Sequence, residues 1–149
     1  MKTHATNKRA HYDYEILEKI EGGLALKGYE VKSIKTGHIS LKGAFVTVKR
    51  NELFLTNASI PAYQPANMPD NYDPERSRKV LAHKNQIKSL IGKISQKGLT
   101  LVPIKVYSSH GLIKLEFGVG KGKRKIDKRE DIKKREDKIN IARTIRNKR

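Results

Sequence analysis

LTLVPIKVYSSHGLIKLEFGV, residues 99–119, decides the fold. β-Branched and aromatic side chains fill 99–107 and 112–119, and Ser108, Ser109, His110 and Gly111 between them form a hairpin turn. Pro103 cannot donate a ladder hydrogen bond, so it marks an edge position or a bulge. Just upstream, Ile87, Leu90, Ile91 and Ile94 recur at i, i+3, i+4 and i+7, and Gly98 supplies a stop. That spacing predicts a helix over 84–97 whose apolar stripe lies on a sheet.

Further towards the N-terminus, the runs 45–48 and 53–55 read as a second hairpin turning at Arg50 and Asn51. Pro61, Pro65 and Pro69 make 58–73 a surface loop. Asp73 followed by Pro74 and Glu75 reads as a helix start, predicting a short basic helix to His83 that carries Arg76, Arg78 and Lys79. Tyr12, Tyr14 and Ile16 keep a period of two, which suits a half-buried strand over 12–19. Gly22 and Gly23 then allow a bend, residues 24–26 form a short strand, and YEVKSIK before Gly37 reads as a short helix, with a strand as the alternative. Residues 1–10 are polar and expected to be mobile, with order starting near His11. The class is mainly β with helices (α+β). The expected architecture is a small antiparallel oligonucleotide-binding-like barrel of about six strands with two or three helices.

Charge points to the partner. The 149 residues carry a formal net charge of +18, and 14 Lys or Arg against 5 Asp or Glu lie in the tail, 121–149. The body is basic as well, so both parts are expected to meet a polyanion. We divide the chain into a barrel domain, 1–120, and a basic tail, 121–149, disordered when free and helical on its partner. In the helical reading Asp127 is an N-cap with Glu130 in capping-box spacing, and Glu130–Lys134 and Asp131–Arg135 pair at i,i+4. With no cysteine, disulfides and thiolate metal sites are excluded, and the five histidines show no ligand spacing. No apolar run reaches the length of a membrane span and no signal core follows Met1, which places the protein in the cytoplasm.

Three basic groups offer a backbone-binding surface: Asn7-Lys8-Arg9, Arg76-Arg78-Lys79, and 121–125 with Lys121, Lys123, Arg124 and Lys125. RNA suits a barrel with exposed aromatic and basic residues, and no helix-turn-helix or zinc-finger spacing competes. Tyr12, Tyr14, Tyr29 and Phe45 either stack on bases or fill the core. Gly120 and Gly122 lack the phosphate-loop pattern and read as a hinge that frees the tail. Glu21 and Glu30 lie near glycines, where a carboxylate receives donors or forms a surface ion pair. No convergent set of acids, bases or nucleophiles appears, so neither an enzyme nor a cofactor is expected.

Five blocks, NKRAHYDYEI, IEGGLALKGYEVKSIKTG, DPERSRKVLAHKNQI, GLTLVPIKVY and GKGKRKIDKRE, resemble the SsrA-binding protein family from about Asn7 to Arg149. The resemblance implies a protein that binds the tRNA-like domain of transfer-messenger RNA and delivers it to stalled ribosomes for trans-translation. It stands in for the missing anticodon arm, as one copy per RNA. By motif position it implies RNA contacts at Asn7, Glu21, Leu81 and Lys114. It also implies decoding-centre and messenger-channel contacts at Gly122, Lys123, Asp127, Lys128 and Arg129, with Lys133, Lys134 and Arg135 extending the basic run. Two positions depart from the family: Lys35 replaces a usual arginine, and Ile126 replaces a residue that is often aromatic or histidine. The competing class is a general RNA-binding or ribosome-assembly protein on the same barrel.

Overall fold

The hairpin at 99–119 lies inside the protein's sheet, one strand in from an edge. In a computed structural model the described residues are 1–63, 69, 71–95 and 98–123. Three helices, α1 (Ala10–Asp13), α2 (Gly28–Lys35) and α3 (Lys84–Ile94), accompany seven strands. The strands are β1 (Lys2–Thr6), β2 (Tyr14–Leu24), β3 (Phe45–Lys49), β4 (Glu52–Thr56), β5 (Arg78–Leu81), β6 (Leu99–Ser109) and β7 (Leu112–Gly122). They form one sheet in the order β1-β6-β7-β2-β5-β4-β3, antiparallel at every pairing. The edge strand β3 approaches β6, so the sheet curls into an open oligonucleotide-binding-like barrel.

Turn chemistry sets the registers. His110 and Gly111 have φ of 52° and 78°, and Arg50 and Asn51 have 54° and 62°. Two consecutive positive φ angles are what a tight hairpin turn needs to match the twist of its strands. From β7, Ile113, Leu115, Phe117 and Val119 alternate into the main core. In β6, Leu101 and Val106 enter the same core although they are an odd number of positions apart, which strict alternation would place on opposite faces. A register shift between Pro103 and Lys105 makes the switch, as expected for proline at a bulge. Val102 and Ile104 consequently face the other side, where they pack with Ala10, Tyr14 and Ile16.

Several expectations need correction: Tyr12 belongs to α1 and not to a strand, and residues 25 and 26 lie outside any strand. Residues 2–6 are the edge strand β1, hydrogen-bonded to β6; five mostly polar residues reveal no strand until their neighbour is present. Gly22 and Gly23 do not bend the chain but lie inside β2, where a Cβ on Gly22 would come 2.8 Å from Val80 Cγ1. The segment after Pro74 is no helix: Asp73 closes an Asx-turn onto Glu75 N (2.9 Å), and the chain enters β5. Gly120 and Gly122 are not a hinge but ladder positions of β7, opposite Ile16 and Tyr14.

β5 depends on a buried ion pair. Arg78 and Glu30 both have fully buried side chains, and Arg78 Nη2 donates to Glu30 Oε2 at 2.7 Å while Nε donates at 2.9 Å. The remaining Arg78 donors reach the carbonyls of Ala58 (2.7 Å) and Pro74 (2.9 Å). Glu30 closes the start of α2 by accepting from Lys27 N at 2.9 Å, and it also pairs with Arg76. Tyr72 Oη donates to the Ile60 carbonyl at 2.6 Å. Among the described residues no buried side-chain polar atom lacks a partner. The surface ion pair expected for Glu30 is thus an interior clamp joining α2, 58–60, 72–76 and β5.

Burial alone pushes the Glu30 carboxyl up, but hydrogen bonds from Arg76, Lys27 N and Arg78 outweigh it and hold the group below its ordinary 4.5. Its stabilisation is therefore present above about pH 4.5 and lost as pH falls through the lower folded value. Arg78→Leu strands the carboxylate in the interior and should lower unfolding free energy by about 3–5 kcal/mol, measured by denaturant titration at pH 7. Glu30→Gln should flatten the acid limb of the stability profile. A loss below about 1 kcal/mol for Arg78→Leu would contradict the clamp.

Candidate nucleic-acid interface

At Gly23, β2 pairs with Lys114 of β7 on one side and Leu81 of β5 on the other. This exchange of partners opens a cleft of about 450 Å³ lined by Glu21, Gly22, Gly23, Leu81, Ala82, His83, Gln86 and Lys114. Gly23 leaves its floor open, since a Cβ there would fill the space beside Leu81 at ordinary contact distance, 3.4 Å from Leu81 Cβ. Lys114 Nζ donates to Glu21 Oε1 at 2.6 Å, and Tyr107 Oη donates to Glu21 Oε2. Hydrogen bonds from Lys114 and Tyr107 hold the Glu21 carboxyl below its usual range. Burial, together with Glu21, pushes the Tyr107 phenol well above its own. The cleft thus presents a fixed carboxylate, a cation and the exposed Leu81 side chain: acceptor, charge and apolar face in one place.

Three of the four contacts implied by the resemblance, Glu21, Leu81 and Lys114, meet here although they come from three strands. Asn7 lies elsewhere. Its Nδ2 donates to the Pro103 carbonyl at 2.8 Å, and it lines a separate cleft of about 690 Å³ with Lys8, Arg9, Lys42 and the exposed Phe45. Lys8 is exposed. Arg9 pairs with Asp13 at 3.1 Å and sits 5.0 Å from the Tyr12 ring centroid.

The Arg76-Arg78-Lys79 group is divided by its strand. Arg78 is turned into the interior and offers no charge to the surface, which corrects its reading as an RNA contact. Arg76 is bound to Glu30, and exposed Lys79 pairs with Glu52 at 3.3 Å. Of the aromatic candidates, Tyr14 packs into the second cluster, and Tyr29 stands edge-on to Tyr72 with centroids 5.3 Å apart.

Lys121 and Gly122 are exposed at the end of β7, while Lys123 reaches the His11 carbonyl at 2.8 Å through Nζ and the Asp13 carbonyl at 2.9 Å through its backbone N–H. Arg124, Lys125, Asp127, Lys128, Arg129, Lys133, Lys134 and Arg135, with the helix predicted from Asp127, lie outside the described residues. Tyr107 escaped the sequence reading, yet a signal existed. A two-residue turn at His110-Gly111 sets Ser109 opposite Leu112 and therefore Tyr107 opposite Lys114.

A curled antiparallel sheet with a cleft at its strand exchange defines the class, an open small barrel of the oligonucleotide-binding kind. The SmpB protein family model matches residues 4–147. The SsrA-binding protein of Thermosipho africanus (strain TCF52B) is 51% identical over 137 residues, 91% of each chain. That of Geobacillus kaustophilus (strain HTA426) is 48% identical over 145 residues, 97% of this chain and 93% of its own. A solved chain described as "tmRNA-SmpB: a journey to the center of the bacterial ribosome" superposes with TM-score 0.66 at 44% identity, over 85% of this chain and 92% of that one. The chain belongs to the SmpB family of SsrA-binding proteins.

Because Lys114 contributes most to the low Glu21 titration, Lys114→Ala should raise the carboxyl pKa of Glu21 more than Tyr107→Phe does. Carbon-detected NMR titration measures both. Equal values in wild type and Lys114→Ala would show that the pair is not formed in solution.

Proposed function

We propose that this protein binds the tRNA-like domain of transfer-messenger RNA and brings it to stalled ribosomes for trans-translation. The observation that carries the reading is the convergence of Glu21, Leu81 and Lys114 in one cleft at the β2–β5–β7 exchange. In this reading Glu21 accepts from base or ribose donors, Lys114 meets a phosphate beside it, and Leu81 packs on an unstacked base. Asn7, Lys8 and Arg9 make a second, outlying contact. Lys121 and Lys123 begin a ribosome-directed tail in which Arg124, Lys125, Asp127, Lys128, Arg129, Lys133, Lys134 and Arg135 meet the phosphates of the decoding centre and an empty messenger channel. The protein acts as a monomer in the cytoplasm, by binding rather than catalysis. No helix among the described residues is long and apolar enough to cross a membrane.

If about five phosphates are contacted, log affinity for the tRNA-like RNA should fall with log salt at a slope of roughly −3 to −5. Lys114→Ala should weaken binding roughly tenfold with the circular dichroism spectrum unchanged. A flat salt dependence would refute this.

The tail is tested by a protein ending at Lys123, which keeps all of β7 and both Lys123 contacts. It should fold, hold most of its RNA affinity, and fail to support alanine transfer from charged transfer-messenger RNA to a nascent chain on ribosomes stalled on a truncated message. Wild-type transfer by this protein would remove the tail from the mechanism.

A further inference from the structure

A second cleft, of about 520 Å³, opens on the far side of Leu81 between β5 and α3. Its apolar wall is Val80, Leu81, Ile87 and Ile91. Ile91 belongs to the apolar stripe of α3 yet does not join the core, whereas Ile87 and Ile94 pack against it. Around this wall stand Arg50 from the β3–β4 turn, Lys79 from β5, and Lys84 and Lys88 one turn apart on α3. Among the described residues Glu52 is the one acidic residue lining the cleft, and it is taken by Lys79 at 3.3 Å. Arg50, Lys84 and Lys88 are exposed and have no carboxylate partner among the described residues. Three unpaired cations around an apolar wall match a strand with a charged backbone and flat, weakly polar bases. The volume falls within the roughly 300–1,000 Å³ typical of small-molecule sites, enough for a nucleotide.

The two clefts adjoin. Leu81 and Ala82 line both, so one side chain forms the ridge between them. We infer that the second cleft takes an unpaired nucleotide of the same RNA, adjacent in the strand to the segment held at Glu21 and Lys114. Its base lies on Leu81, Ile87 and Ile91, and its flanking phosphates lie against Lys84, Lys88 and Arg50. The inference rests on the proposed function and extends its footprint from the sheet onto α3. An unpaired nucleotide fits where a duplex does not, because only a splayed base reaches the apolar wall.

The test uses the full-length protein and a transcript of the tRNA-like domain. Lys84→Gln/Lys88→Gln changes two exposed side chains on the outer face of α3 and removes two phosphate contacts. Relative to wild type, the magnitude of the salt slope should drop by about 1.4–2 and affinity at 0.1 M salt should fall roughly tenfold. In protein labelled at isoleucine methyls, Ile87 and Ile91 should shift on adding the transcript while fully buried Ile34 stays in place. An unchanged slope, or unmoved Ile87 and Ile91 signals, overturns the second cleft. Lys114→Ala, measured alongside, separates the two failures. If it weakens binding while the α3 variant does not, only the inference falls, and if neither variant matters, the proposed function falls with it.

Discussion

The Glu30–Arg78 ion pair is the constraint on which the proposed RNA-binding surface depends. A charge pair taken wholly out of water survives only when its polar atoms find partners, and among the described residues no buried side-chain polar atom lacks one. Satisfying Arg78 requires the carbonyls of Ala58 and Pro74, and satisfying Glu30 requires the start of α2. Two chain segments that precede β5, at Ala58 and at Pro74, are therefore tied to it by one guanidinium. A four-residue strand has few ladder hydrogen bonds of its own, so this anchoring decides where β5 lies. Where β5 lies decides where Leu81 points.

From that anchor the site follows by alternation. Burial along β5 runs buried, exposed, buried, exposed, so turning Arg78 and Val80 inward forces Lys79 and Leu81 outward. Leu81 meets Gly23 on β2, whose missing side chain leaves room for a ligand, and across β2 lies Lys114. The two-residue turn of the β6–β7 hairpin sets Tyr107 beside Lys114, and both reach Glu21. An interior electrostatic contact, one glycine and one turn thus bring Glu21, Leu81 and Lys114 together in the proposed recognition surface.

The same particulars explain what was legible in the sequence. β6, β7, α3, α2 and the β3–β4 hairpin were readable because each carries its own period and its own stop signal. β1 was not, because an edge strand of mostly polar residues is specified by its neighbour. The start of β5 was misread as a helix because Asp-Pro-Glu serves turns as well as helix starts. Its alternation was hidden because the inward-facing residue is arginine, a type almost never fully buried unless paired, and the partner lies 48 residues away. Glu21, Leu81 and Lys114 could be named by family motif, but only the strand exchange shows that they share a cleft while Asn7 does not.

The central claim is that RNA covers the β2–β5–β7 exchange, with Leu81 at its middle. Hydroxyl-radical footprinting tests it directly, because Leu81 (48% exposed), Leu17 (55%) and Leu112 (62%) give comparable reactive side chains at different places on the barrel. On adding the tRNA-like RNA, oxidation of Leu81 should fall several-fold while Leu17 and Leu112 stay at their free rates. Unchanged oxidation of Leu81 in a saturated complex would contradict the account.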